Sequence, residues 1–189
     1  MKILTTLIAY SCFLIGITNT AQADDTITKK DYYLAPFASY LEPGGDTAGY
    51  SGWGAGMGIG RVINADFNVE VRGFWQNYKN SLNCCGGAET DLAGASLDLQ
   101  YFLSRDTLSP YLVTSFGGMT TDLQSRYFKV SESSFIFEAG AGALYSLSKT
   151  VQLRGDIRYR LNTLPSELGA EGVLNDLTIN LGFVIPLSQ

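Results

Sequence analysis

From Asp31 onward, apolar and polar positions alternate with a period of two. Val151, Leu153, Gly155, Ile157, Tyr159 and Leu161 are separated by Gln152, Arg154, Asp156, Arg158 and Arg160. Only an extended strand puts those two sets on opposite faces. The same alternation places Phe67, Val69, Val71 and Trp75 against Asn68, Glu70, Arg72 and Gln76. It recurs over 93–103, 135–147 and 177–187, and more weakly over 31–42, 51–63 and 109–120. This makes eight candidate strands, each near the ~9–11 residues of a tilted membrane strand.

The connections alternate too. Tight turns are expected at 64–66, 105–108 and 148–150, and long polar loops at 43–50, 79–90, 121–133 and 163–173. Transmembrane barrels of the bacterial outer membrane combine an even strand number with short periplasmic turns and longer outer loops. The pattern therefore predicts an all-β fold, an eight-stranded antiparallel up-and-down transmembrane β-barrel over residues 31–189.

The remaining segments read differently. Lys2, the apolar run from Ile3 to Ile17 and Ala21-Gln22-Ala23 form a secretory signal peptide over 1–23, followed by a short lead over 24–30. No later stretch is apolar for the ~18 residues that a spanning helix needs.

Composition narrows the function. Charged residues make up 16% of the chain, against about 25% in ordinary soluble domains. The formal net charge of −5 argues against a nucleic-acid partner. With no histidine, imidazole-based catalysis is excluded, and with it the usual way of activating a serine or water in a lipid-modifying barrel enzyme. No catalytic site, cofactor or metal site is expected. Cys84 and Cys85 stand adjacent in the second long loop, as thiols, a strained mutual disulfide or a bridge to another chain.

In a membrane barrel the apolar face meets lipid and the polar face lines the lumen. The polar face carries Glu70, Arg72, Asp98, Glu138, Arg154, Asp156, Arg158, Arg160 and Asp176, five acids and four arginines. Inside a narrow lumen these charges must pair, because desolvation is otherwise costly. Turn geometry sets the register. A turn at 148–150 puts Glu138 opposite Arg160, and one at 64–66 puts Arg72 opposite Gly58 and Glu70 opposite Gly60. Glycines 52, 54, 56, 58 and 60 share one face and leave room for large side chains across the lumen. Trp53 and Trp75 are expected in an outer aromatic girdle, and Tyr33, Phe67, Tyr101, Tyr111, Tyr145 and Phe183 in an inner one.

Several stretches carry a family likeness: Tyr32 to Phe37, Gly54 to Gly60 leading to Glu70, Ser109-Pro110-Tyr111, and Ala139 to Gly142 leading to Arg154. In order and spacing they resemble the outer-membrane β-barrel family typified by the N-terminal barrels of the OmpA and OprF type porins. The likeness implies a Gram-negative outer-membrane location. Asn180, Gly182, Ile185 and Leu187 resemble the family's assembly signal in the last strand, which implies the outer-membrane assembly machinery as a partner. The usual terminal aromatic of that signal is replaced by Leu187-Ser188-Gln189, and the peptidoglycan-binding domain of many relatives is missing from the sequence.

Two functions remain in view. One is a structural or porin-like barrel whose lumenal charges plug or gate a narrow pore. The other is an adhesin or host-factor-binding protein that uses its four outer loops on an extracellular ligand. A soluble lipid-binding barrel would invert the two faces.

Overall fold

The computed structural model describes residues 32–44, 51–80, 88–124, 129–148, 150–163 and 173–187. The expected signal peptide, the lead, and Cys84 and Cys85 lie outside the described residues. Eight strands form in chain order: β1 (Tyr32–Pro43), β2 (Gly52–Val62), β3 (Phe67–Asn80), β4 (Ala88–Phe102), β5 (Leu108–Gln124), β6 (Lys129–Ser146), β7 (Gln152–Thr163) and β8 (Val173–Pro186). Each pairs antiparallel with its neighbours in sequence, and β8 closes on β1.

The stagger of the strands sets the width of the lumen. One ladder runs from Tyr33 through Gly60, Glu70, Asp98, Ser115, Glu138, Arg160 and Asp176 to Pro43. The circuit returns to β1 at position 43 rather than 33, a shear of 43 − 33 = 10 residues. With strands ~4.8 Å apart and ~3.3 Å per residue, eight strands of that shear tilt by about 40°. A barrel of this size has an interior that side chains fill.

The turns follow from local chemistry. Asn64 Oδ1 accepts hydrogen bonds from the backbone N–H groups of Asp66 (2.9 Å) and Phe67 (2.8 Å), an Asx-type turn. Ser148 Oγ accepts from Thr150 N and Val151 N in the same way, at 3.2 and 3.1 Å. These turns place Glu138 opposite Arg160, Arg72 opposite Gly58 and Glu70 opposite Gly60, the register expected from the sequence.

The two faces divide as the alternation requires. Val71, Phe116, Ile157 and Leu181 lie on the outer wall and are more than half exposed, while Glu70, Asp98, Glu138 and Arg160 inside have no exposure. No soluble barrel leaves this much large apolar surface in water. The outer wall carries aromatic girdles near both ends. Tyr40 meets Trp53 edge-on at 5.1 Å toward the outer end, and Phe67 meets Tyr101 at 5.1 Å toward the turns. Tyr33 and Tyr111 do not belong to the inner girdle. They point into the lumen, 4% and 1% exposed, because they share strand parity with the lumenal residues Ala35 and Val113.

Strand ends also differ from expectation on the outer side. Most of the loop expected at 121–133 is strand, since β5 has 17 residues and β6 has 18. At about 40° of tilt such strands rise roughly 43–45 Å, against an apolar band about 25 Å tall. The β5–β6 hairpin therefore projects beyond the membrane. The β3–β4 strands likewise extend into the loop expected at 79–90.

An outer-wall position near mid-strand tests this orientation. Replacing Ile157 with arginine should destabilise the barrel by about 2–4 kcal/mol, whereas Thr120→Arg near the outer rim should cost about 0–1 kcal/mol. Urea titration of the protein in lipid vesicles measures both. Equal costs would mean that Ile157 does not face hydrocarbon.

Candidate functional site

Three layers fill the lumen. Toward the turns, Tyr33, Ala35, Phe102, Tyr111, Val113, Leu144 and Val184 form an apolar cluster. Toward the outer mouth, Phe37, Leu41, Phe74, Tyr78, Leu92, Met119 and Ile136 form a second one. The ionic layer lies between them, where eight of the nine charged residues expected in the lumen meet, and the ninth, Asp176, is buried opposite Arg160 in the sheet.

Arg72 on β3 reaches across the lumen to Glu138 Oε2 on β6, at 3.0 Å. Arg154 on β7 donates through Nη1 to both carboxylate oxygens of Glu70, at 3.0 and 2.8 Å. Its Nε donates to Asp156 Oδ2 at 3.0 Å. Arg158 donates to Asp156 Oδ1 (2.7 Å) and Asp98 Oδ2 (2.6 Å), with a longer contact to Glu138 at 3.3 Å. Arg160 donates from Nε to Glu138 Oε1 at 2.7 Å. The four arginines and four of the five lumenal carboxylates thus form one connected cluster. Every side chain in it is at most 5% exposed. Arg72 also stacks over Phe37, its guanidinium carbon 4.4 Å from the ring centre, and so joins the ionic layer to the outer apolar one.

Uncharged partners extend the cluster, while Nη2 of Arg158 and Nη2 of Arg160 are buried without a hydrogen-bond partner. The Tyr111 hydroxyl donates to Asp156 Oδ2 at 2.8 Å. Asn180 accepts from Arg72 at 3.1 Å and donates to Asp156 Oδ1 at 2.8 Å. Gln76 accepts from Arg160 at 2.8 Å and donates to Ser39 at 2.7 Å. The charge pattern of the sequence does not single out these residues. Their signal is parity, since Gln76 shares a face with Arg72, and Asn180 shares one with Asp176.

The ionic layer is tightly packed on one side. Beside Arg72, Arg154, Asp156, Arg158 and Asn180 the remaining space has no room for a water molecule. Glycines make this packing possible. A Cβ on Gly58 would lie 2.3 Å from the Glu70 carboxylate, and one on Gly142 would lie 2.6 Å from Asp156 Cβ and 2.7 Å from the Tyr111 ring. Among the described residues, no group of three or more Cys, Asp, Glu or His side chains is placed to hold a metal ion.

Comparison with known proteins agrees with this architecture. The profile of the family described as outer membrane protein beta-barrel domain matches residues 11–185. No curated protein sequence matches the chain closely. Three solved structures of bacterial proteins are similar in fold. Neisserial surface protein A (NspA) has a TM-score of 0.64 and 14% identity, over 82% of this chain and 97% of its own. Ail, the attachment invasion locus protein of Yersinia pestis, solved with the heparin analogue sucrose octasulfate, has a TM-score of 0.54 and 13% identity, over 83% and 97%. The N-terminal β-barrel domain of Pseudomonas aeruginosa OprF has a TM-score of 0.51 and 15% identity, over 81% and 97%. The chain belongs to the outer membrane protein beta-barrel family and is a bacterial outer-membrane barrel of the eight-stranded type.

Proposed function

We propose that the protein is a structural outer-membrane barrel whose lumenal ion pairs act as the plug of a narrow, gated pore. The carrying observation is the buried ionic layer, in which four arginines pair with four carboxylates and the space beside Arg72, Arg154 and Arg158 has no room for water. Paired charges keep the bore shut. Pairs that separate would leave guanidinium and carboxylate groups that can only be satisfied by water, which then fills the bore. Residues 1–23 serve as the cleaved export signal and 24–30 as a short lead. The last strand engages the assembly machinery. No catalytic role is assigned.

A second reading is supported by the β5–β6 hairpin, which projects past the membrane. Its tip presents polar residues on both faces, among them Thr120, Asp122, Ser131 and Glu132. On this reading the barrel is a pedestal and the outer connections hold an extracellular ligand.

Recording from the refolded protein in planar bilayers tests the pore. Glu138 pairs with Arg72, Arg158 and Arg160, so Glu138→Gln should raise the frequency of open events about tenfold or more, the effect of weakening one buried charge-assisted contact. If neither form conducts while removal of the β5–β6 tip abolishes adhesion of expressing cells, the second reading replaces the first.

A further inference from the structure

Three guanidinium groups converge on one carboxylate. Glu138 Oε2 accepts from Arg72 at 3.0 Å and from Arg158 at 3.3 Å, and Oε1 accepts from Arg160 at 2.7 Å. The other carboxylates of the layer are matched differently. Glu70 pairs with Arg154, Asp98 pairs with Arg158, and Asp156 pairs with both of those arginines. Among the described residues, Glu138 is the one carboxylate in ion-pair contact with Arg72 or Arg160. Asp176 stands opposite Arg160 in the sheet without making that contact. Donors are therefore in excess around Glu138, and the Nη2 groups of Arg158 and Arg160 are buried with no partner.

The cradle is held by groups other than the carboxylate that fills it. Arg72 donates to Asn180 at 3.1 Å, and Arg160 donates to Gln76 at 2.8 Å. Arg158 is tied to Asp156 and Asp98, at 2.7 and 2.6 Å. The Phe74 ring packs on two of the three, its centre 5.5 Å from the guanidinium carbon of Arg72 and 4.6 Å from that of Arg160. Contacts with amides and rings fix a guanidinium group without neutralising it. Like charges held close together in a buried layer repel one another, so these three arginines require an anion among them. Glu138 is the anion that the chain itself supplies.

We propose that Arg72, Arg158 and Arg160 form a binding site for a small monovalent anion of chloride size, with the Glu138 carboxylate as its tethered occupant. When that carboxylate swings away, a free anion takes the same donors. The consequence for transport rests on the gated-pore reading: the opened bore passes small anions in preference to cations. Binding does not rest on it, because the three arginines are in place in the folded barrel whether or not ions cross.

Glu138→Ala in the refolded barrel tests the site. The substitution vacates the space of a methylene and a carboxylate, more than the roughly 30 Å³ that one water takes up in the liquid, so a chloride ion has room. Urea titration in lipid vesicles reads the binding, with chloride exchanged for the bulky anion gluconate at constant ionic strength. A ligand that binds only the folded state raises the folding constant in proportion to its concentration once its site is filled. A tenfold rise in chloride should therefore raise the folding constant of Glu138→Ala by up to about tenfold, and leave that of the parent within about twofold. Formate, a free carboxylate, should act as chloride does. Glu70→Ala is the control, because its partner Arg154 keeps Asp156, and chloride should not rescue it. If Glu138→Ala is too unstable to titrate, the fraction that refolds, read by gel migration before boiling, should be higher in chloride and formate than in gluconate. Glu138→Gln, which keeps the volume, should carry currents in planar bilayers that reverse near the chloride equilibrium potential under a potassium chloride gradient. The proposal is overturned if chloride and formate give Glu138→Ala no gain over gluconate, if Glu70→Ala gains as much, or if Glu138→Gln passes cations in preference. Chloride rescue of Glu138→Ala in a barrel that never conducts upholds the site and removes the gated pore alone.

Discussion

Removing the Arg158 side chain should cost the barrel about 3–5 kcal/mol, the largest loss expected from any single truncation in the lumen. Arg158 is the hub of the plug. It joins Asp156 on its own strand, Asp98 on β4, Ser115 on β5 and Glu138 on β6. Its side chain has no exposure, and neither does that of Asp98. Arg158→Ala leaves Asp98 without a cationic partner, and Asp156 with Arg154 alone. Most of the penalty comes from those stranded carboxylates and not from the lost attraction. Two comparisons separate these causes. Arg158→Lys keeps a charge but not the fork that spans two carboxylates, and should lose less. Adding Asp98→Asn to Arg158→Ala should recover part of the loss, because the stranded charge is removed. Urea titration in lipid vesicles measures all three, with Trp53 and Trp75 on the lipid face as fluorescent reporters. A loss below about 1 kcal/mol would show that water reaches these carboxylates, and the closed plug would be the wrong description.

Much of this plug is legible in the sequence, and the reason is the two-sided environment of a barrel wall. Lipid outside and ions inside force strict alternation, so the charged residues from Glu70 to Arg160 declare their face. Tight turns carry the register, and so Glu138 and Arg160 on adjacent strands can be matched by position alone. The pairs that span the lumen cannot. Arg72 with Glu138, Arg154 with Glu70, and Arg158 with Asp98 join strands that are not neighbours in the sheet. Their meeting depends on the shear, which emerges only when the ladder closes on β1. Alternation also fails where its cause is absent. Beyond the membrane both faces of β5 and β6 meet water, so Thr121–Gln124 and the start of β6 read as loop although they are strand. At the periplasmic mouth the lumen is itself apolar, so Tyr33 and Tyr111 look like girdle residues.

The glycine column on β2 gives the second large effect. Gly56→Leu should prevent most of the chain from folding, with a cost above about 3 kcal/mol. A Cβ at Gly56 would lie 2.2 Å from Phe37 Cζ and 2.4 Å from the carbonyl oxygen of Gly73. The ring cannot simply swing aside, because Arg72 stacks on it and is tied to Glu138 and Asn180. Overpacking at one glycine is thereby transmitted to the ionic layer. Moving the missing volume tests that account: Phe37→Ala opens the space, so Phe37→Ala with Gly56→Leu should fold better than Gly56→Leu alone. The fraction that migrates as folded barrel before boiling, after refolding into vesicles, reports each form. Were the double variant to fold no better than the single one, contact with the Gly73 backbone would be the obstacle. The column would then serve strand approach within the sheet and not the space that Phe37 and Arg72 occupy across the lumen.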